Sequence, residues 1–267
     1  MEAAMSSAQL LGFAWDASSS HARGAALAPS LIHSLLHSPA SSPYSISGID
    51  ARQCIASFHV PAMPENAAAA RSLIQSTVSQ CLHSKHAPLS LGGDHSISYP
   101  ILLAMKEHYG RVTVLHIDAH PDLYQELDGD RYSHACPFAR AIEDQCIDQL
   151  VQVGIRSATP EQRRFAADHG VIMLGADELA NIPYEKLQHP LYVSIDLDGL
   201  DPAYAPGVSH PEPGGLSTRE VLAVLKRLPT APVGADIVEY NPERDQQMQT
   251  GHVAARLVKE LAALLST

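Results

Sequence analysis

The runs VTVLHIDAH (112–120), LYVSIDLD (191–198) and PVGADIVEY (232–240) are apolar along both faces, and each ends in acidic or imidazole side chains. A strand with one face in water alternates apolar and polar residues, whereas a strand covered on both faces reads as a nearly continuous apolar run. LLGFAWD (10–16), APLSLGGDHS (87–96), QLVQVGIRS (149–157) and HGVIMLG (169–175) extend the series. Helical patterns lie between these runs. Residues 65–84 are Ala-rich without internal Gly or Pro, and 97–109 carries Pro100 early, where a helix tolerates it. Ser217-Thr218-Arg219-Glu220 is a capping box opening REVLAVLKRL, and VAARLVKELAALL (253–265) has apolar residues at helical spacing. This alternation predicts an α/β fold, a three-layer α/β/α sandwich around a mostly parallel central sheet. Segments 39–49 and 199–216, rich in Pro, Ser or Gly, read as loops inside one domain, and the expectation is a single domain over 1–267.

A formal net charge of −11 argues against binding nucleic acid or an anionic membrane surface and suits a cationic ligand. No apolar run is long enough to span a bilayer. The start, MEAAMSSAQLLGFAWD, carries Glu2 and no basic segment ahead of an apolar one, so no secretory or transit leader is expected. Cys54, Cys81, Cys136 and Cys146 form no CxxC pair, which suggests reduced thiols and a cytoplasmic setting.

In a parallel sheet, ligands bind beyond the carboxyl ends of the strands. The polar residues obey that filter. Asp94 and His95 follow one run; Asp118, His120 and Asp122 end the next; Asp196, Asp198 and Asp201 end another; Glu239 ends the last. One Asp at a strand end is usually a turn or cap, and one histidine is usually structural. Three such segments with no Lys or Arg among them are different, because several carboxylates cannot stay ionised together in a buried place without cations. Two divalent metal ions would supply the charge.

GGDHS, DAHPD and SIDLDGLDPAYAPG together resemble the signatures of the ureohydrolase (arginase/agmatinase) family, a likeness running from GFAWDASSSHARGAALAPSLI to GADIVEYNPERD. GDRYSHACPFAR and APGVSHPEPGGLS are most similar to plant-type arginases and their bacterial relatives. The resemblance implies an arginase-like fold and two metals, one held by His95, Asp118, Asp122 and Asp196, the other by His120, Asp118, Asp196 and Asp198. Carboxylates with one imidazole per metal suit Mn²⁺, the family's usual ion, while Ni²⁺, Co²⁺ and Fe²⁺ remain compatible. It also implies a homotrimer or homohexamer.

The implied reaction releases urea from a guanidino compound. Two close metals lower the pKa of water and supply a nucleophile at neutral pH. Glu239 matches the glutamate that pairs with the guanidinium, Asp122 the residue that relays a proton to the leaving amine, and His134 in YSHACPF the loop histidine that shuttles protons to solvent. Cys136 beside it is expected to pack rather than attack. Animal arginases have an asparagine two residues after the last ligand of the second motif, to contact the amino acid's carboxylate; here Tyr124 stands there. Arg131 is the expected partner for a substrate carboxylate, and Asp128 and Asp130 for an amine, which favours arginine over agmatine. His210 and Glu212 either shape the pocket or hold a turn. Agmatinase, guanidinobutyrase and formiminoglutamate hydrolase activities are alternatives. A single-zinc amidohydrolase of related fold would not need both His95 and the Asp118/Asp196 pair.

In HIDAHPDL, the alternation of His116, Asp118, His120 and Asp122 suggests four equivalent ligands. Pro121 ends the strand, so Asp122 is expected on a turn that swings back, and His116 is expected to orient the ligands from beneath.

Overall fold

The structure, a computed structural model, describes residues 7–266. The leader expectation involving Glu2 lies outside the described residues. In chain order the elements are β1 (Ala8–Gly12), α1 (Ala28–Leu36), α2 (Ala51–Cys54), β2 (Ile55–His59), α3 (Ala67–His83), β3 (Ala87–Leu91) and α4 (Ser98–Tyr109). They continue with β4 (Val112–Ile117), α5 (Pro137–Glu143), β5 (Ile147–Val153), α6 (Pro160–Asp168), β6 (Ile172–Leu174), β7 (Leu191–Asp196), α7 (Thr218–Lys226), β8 (Pro232–Val238) and α8 (Gln249–Leu265).

The eight strands form one sheet in the order β2-β1-β3-β8-β7-β4-β5-β6, and every pairing is parallel. One face carries Ile32 and Leu36 of α1, Val221 and Leu225 of α7, and Leu257 and Leu261 of α8. The other carries Ile74 and Val78 of α3, Ile101 and Met105 of α4, Phe138 of α5 and Phe165 of α6. The sheet is therefore covered on both faces, which is why β3, β4, β7 and β8 are buried at every position and read as apolar runs. No helix among the described residues is long and apolar enough to cross a membrane.

The capping box read at Ser217 is present: Ser217 Oγ accepts from Glu220 N, and Glu220 Oε2 accepts from Ser217 N at 2.7 Å, opening α7 at Thr218. Strand β2 escaped the sequence reading because it is an exposed edge strand with little apolar pattern. Helices α5 and α6 escaped because each is short and begins at a proline, Pro137 and Pro160, which the sequence offers equally to a turn.

Sheet order is what makes a site. Four adjacent strands, β3, β8, β7 and β4, end side by side, and the motifs GGDHS, EYNP, DLDG and DAHPD follow them. Two glycines let these ends close. A Cβ on Gly93 would sit 1.9 Å from the Trp15 carbonyl oxygen, and one on Gly199 would sit 2.8 Å from the Asp118 nitrogen. Both obstacles are backbone, which cannot swing aside as a side chain can. Gly93→Ala is therefore expected to cost at least about 2 kcal/mol of folding stability through overpacking. Chemical denaturation checks this; an unchanged midpoint would mean the loop relaxes freely.

Candidate metal centre

The acidic and imidazole side chains converge as the motifs suggested. His95 Nδ1 lies 3.3 Å from Asp118 Oδ2, 3.0 Å from Asp122 Oδ2 and 3.1 Å from Asp196 Oδ2. His120 Nδ1 lies 3.1 Å from Asp198 Oδ2 and 3.6 Å from Asp118 Oδ1. Asp118 thus touches both groupings. Each strand-end carboxylate gives one oxygen to a backbone N–H: Asp118 Oδ1 accepts from His120 N at 2.6 Å, Asp196 Oδ1 from Asp198 N at 2.8 Å, and Asp198 Oδ1 from Ala119 N at 3.2 Å. The other oxygen of each faces the cluster. Asp122 sits on a turn with φ of +52°, past Pro121, and this left-handed conformation returns its carboxylate to His95.

The donor set fits a metal. Ser194 Oγ donates to Asp236 Oδ1 at 2.6 Å, so that hydroxyl is left to accept from His95 Nε2 at 3.0 Å. Asp236, which also accepts from Ser98 and Tyr192, is fully buried and locks the arrangement. With its proton on Nε2, His95 aims the Nδ1 lone pair at three carboxylate oxygens, and that nitrogen is buried without a hydrogen-bond partner. Only a proton or a cation makes such a juxtaposition favourable. Asp118, Asp122, Asp196 and Asp198 are each at most 4% exposed, and among the described residues no Lys or Arg forms an ion pair with them.

His116 adjoins the cluster from within β4, and its ring nitrogen lies close enough to His95 and Asp118 that the three together could hold a metal ion. Its Nε2 is 2.8 Å from Asp118 Oδ2, and its Nδ1 is 3.0 Å from the amide nitrogen of Gln152. Both ring nitrogens are engaged.

Beyond the cluster lies a cavity of about 210 Å³ lined by His120, Asp122, Tyr124, His134, Asp196, Asp198, His210 and Glu239, with Ser20, Leu127, Ala135, Ser157 and Gln162 completing the wall. Glu239 has φ of +64°, anchors its N–H on the Gly93 carbonyl at 2.8 Å and accepts from His95 N through Oε1 at 2.9 Å. Its Oε2 is buried and has no partner. His134 is held from the N-terminal side of the chain: its Nδ1 is 3.0 Å from the Ser18 carbonyl, so Nδ1 carries the proton and Nε2 is left facing Ser20 Oγ at 3.5 Å. His210 stacks on His134 with centroids 5.2 Å apart. Burial and the neighbouring His134 push His210 down to about 4, so it is a neutral wall at neutral pH. Burial pushes the Cys136 thiol up to about 12, which suits packing and not attack.

Arg131 and Asp130 do not reach this cavity. The loop turns at Asp128–Gly129, both with positive φ, and Asp130 Oδ1 accepts from Tyr132 N at 2.8 Å. Arg131 is thereby sent outward, where its guanidinium pairs with Glu143 at 3.0 Å and stays more than half exposed. Asp128 likewise is absent from the wall. Glu212 stands at the edge, 3.7 Å from His120 Nε2. Asp94, read from the sequence only as a polar residue at a strand end, is buried and accepts from Ser18 N and Ser96 N, tying the Ser18 loop to the GGDHS turn. Sequence reasoning missed Arg156, whose guanidinium donates to the carbonyls of Asp198, Gly199, Leu200, Gly154 and Glu212. The IRS that ends β5's motif was its only trace.

A carboxylate–imidazole cluster at the carboxyl edge of a parallel α/β sheet, opening on a cavity with Glu239 in its wall, is a donor set that can hold metal ions. The chain matches the model of the arginase family over residues 6–263, and it belongs to that family. It is 50% identical over 188 residues to a mitochondrial arginase of Medicago truncatula, a match covering 67% of this chain and 56% of that one. The match thus spans little more than half the length of that relative. It is 35% identical to proclavaminate amidinohydrolase of Streptomyces clavuligerus over 94% of this chain and 86% of that one. The solved structure of the Medicago arginase superposes with a TM-score of 0.89 at 38% identity, covering 97% of this chain and 87% of that one.

Without cations, protons fill the cluster. Burial and the neighbouring Asp198 and Asp118 hold Asp196 well above the carboxylate range; burial and Asp118 push Asp198 up to about 7; burial and Asp94 raise Glu239. Burial alone would lower His120, but Asp198 and Asp118 reverse this and push it up to about 12. Asp118 goes the other way: His116 and the surrounding hydrogen bonds outweigh burial and hold it low. A group whose folded pKa is raised contributes stability present below its unfolded pKa and lost as pH rises toward the folded value; Asp118, depressed, is already fully ionised above about pH 5 and adds no slope there, while His210, lowered to about 4, acts the opposite way up to about pH 6.5 and is outnumbered by Asp196, Asp198, Glu239 and His120. The metal-free chain should therefore melt at lower temperature as pH rises from about 5 to about 8. Mn²⁺, which displaces those protons, should raise the melting temperature more at the higher pH. Thermal melts with and without Mn²⁺ check both; a metal effect that does not grow with pH would mean the cluster is not the binding site.

Proposed function

We propose that the chain is a binuclear-metal ureohydrolase that hydrolyses L-arginine to L-ornithine and urea. The observation that carries this reading is Glu239 Oε2, a buried carboxylate oxygen without a partner, lining the cavity beside the cluster. An acidic group so placed calls for a cationic, hydrogen-bonding ligand, and a guanidinium offers planar N–H donors that match it. The identity to plant arginases supports arginine as that ligand.

In this reading His95, Asp118, Asp122 and Asp196 hold one Mn²⁺, and His120, Asp118, Asp196 and Asp198 the other; Ni²⁺, Co²⁺ or Fe²⁺ would suit the same donors. When bound, the two ions supply the charge that activates water as a nucleophile at neutral pH. Glu239 Oε2 accepts from the guanidinium and fixes its plane against the cluster, while Oε1 stays pinned by His95 N. Asp122, on its strained turn at the cavity wall, takes the proton lost by the attacking water and delivers it to the leaving nitrogen. His134 exchanges a proton at Nε2 with the cavity mouth, its Nδ1 being tied to Ser18. Atoms balance: guanidinium and water give urea and a protonated amine.

Agmatine is the second reading, favoured by one observation: no Arg or Lys is among the cavity-lining residues, so a carboxylate at the far end would meet only neutral donors such as Ser20, Ser157 and Gln162. The free, buried cysteines support a reducing, cytoplasmic setting. One domain over 1–267 and assembly as a homotrimer or homohexamer complete the reading.

Urea release from arginine, agmatine, guanidinobutyrate and guanidine after Mn²⁺ incubation tests it. The expected order has arginine first; urea from none of the four would overturn the assignment. Asp196→Ala should abolish turnover, and Glu239→Gln should lower kcat/KM by about 10²-fold or more, the scale of losing one preorganised electrostatic contact. Arg131→Ala, at the surface, should change KM for arginine by less than about two-fold, as exposed ion pairs contribute little.

A further inference from the structure

Gln152 is a polar side chain at a fully buried position of β5, between Val151 and Val153. In the sheet register it stands opposite His116 of β4. Its amide nitrogen donates to the Pro121 carbonyl at 2.6 Å and reaches His116 Nδ1 at 3.0 Å. A carbonyl can only accept, so Pro121 fixes which end of the amide faces it. The second N–H then goes to His116 Nδ1, which must be the unprotonated nitrogen. The His116 proton is therefore on Nε2, where it donates to Asp118 Oδ2 at 2.8 Å. The amide oxygen of Gln152 is buried without a partner, so the donor end alone accounts for this residue's bonding.

We infer that Gln152 is a positioning residue for the metal centre: it fixes the His116 tautomer that orients Asp118, and it clamps the Pro121 carbonyl that sets the Asp122 turn. The inference rests on the metal-centre reading above. Without the Gln152 donor, His116 is free to carry its proton on Nδ1 and to turn a lone pair on Asp118 Oδ2, which repels. The same loss frees the peptide just before Asp122, whose left-handed φ has to be held from outside. A neutral amide also does this without adding negative charge to a region already crowded with carboxylates, which a glutamate of the same shape could not do. Gln152 does not line the cavity, so its influence passes through His116 and Pro121 and not through substrate contact.

The test uses the full chain with Gln152→Glu, which replaces the donor by an acceptor of equal shape, and Gln152→Leu, which removes it. Calorimetric titration with Mn²⁺ alone is expected to show affinity weakened about 10- to 100-fold in both, the usual cost of losing an outer hydrogen-bond partner of a metal site. Nitrogen-15 spectra of the imidazole rings in the metal-free chain are expected to show His116 protonated on Nε2 in the wild type and to lose that state in Gln152→Glu. A purely structural role would lower the melting temperature without moving either readout. Mn²⁺ affinity within about two-fold of wild type in folded variants, or an unchanged His116 tautomer, would overturn the inference. Should Gln152→Glu not fold, the same two readouts on Gln152→Leu decide. Neither readout uses urea: a wild type that binds Mn²⁺ but hydrolyses none of the guanidino compounds overturns the arginase reading and leaves this one supported, and a wild type that binds no Mn²⁺ overturns both.

Discussion

Asp118, Asp122, Asp196 and Asp198 come from two strand ends, yet their carboxylate oxygens lie around two imidazoles at separations of 3.0 to 3.6 Å. Bringing so much potential negative charge out of water is the most costly arrangement in the molecule, and much of the surrounding architecture can be read as holding it in place. Backbone N–H groups take one oxygen of each strand-end carboxylate. Ser194 and Asp236 take the outer edge of His95, and His116 takes the second oxygen of Asp118. Arg156 shows the same logic by avoidance. It lies close to the ligand loop but spends its guanidinium on carbonyls, leaving the carboxylate charge for another cation to balance.

Rigidity follows from the same need. Like charges separate unless the backbone forbids it, and here the four neighbouring strands β3, β8, β7 and β4 are hydrogen-bonded through the middle of a sheet covered on both faces. The close approaches at Gly93 and Gly199 tie the turns beyond the strands to each other's backbone. Only Asp122 and Glu239 reach the cavity through left-handed backbone, and both are residues for which the sequence suggests a role with the ligand. At these two positions the left-handed backbone is what turns the carboxylate into the cavity.

Much of this was legible in the sequence because burial on both faces leaves a strong mark: the β4, β7 and β8 runs gave the parallel sheet, and their polar ends gave the cluster. Inside HIDAHPDL, Pro121 announces the turn that makes Asp122 different, and His116 falls inside the paired strand. What was not legible is whatever depends on which strands are neighbours. Gln152 reads as an isolated polar residue in an apolar run until β5 is laid beside β4. Asp94 reads as one more polar residue at a strand end until the Ser18 loop is seen folded onto it. Arg131 failed for a related reason. A loop of polar residues fixes composition but not direction, and one hydrogen bond from Tyr132 N to Asp130 turns the guanidinium away from the cavity.

The cavity wall then separates two questions that the motifs join. In the proposed reading the cluster and Glu239 address the guanidino end of a ligand, and their residues come from strand ends whose positions the sheet dictates. The rest of the wall includes Ser20, Tyr124, Ser157, Gln162 and His210, all on loops or at a helix start, and all uncharged or, for His210, held neutral by burial and by His134. Charge selectivity is therefore built at one end only. Neutral donors hold a carboxylate by hydrogen bonds whose strength depends on loop placement, and they tolerate its absence far better than a buried Arg would tolerate losing its partner. On the proposed function, a wall of this kind would let the loops retune which guanidino compound is preferred while the sheet keeps the reaction the same.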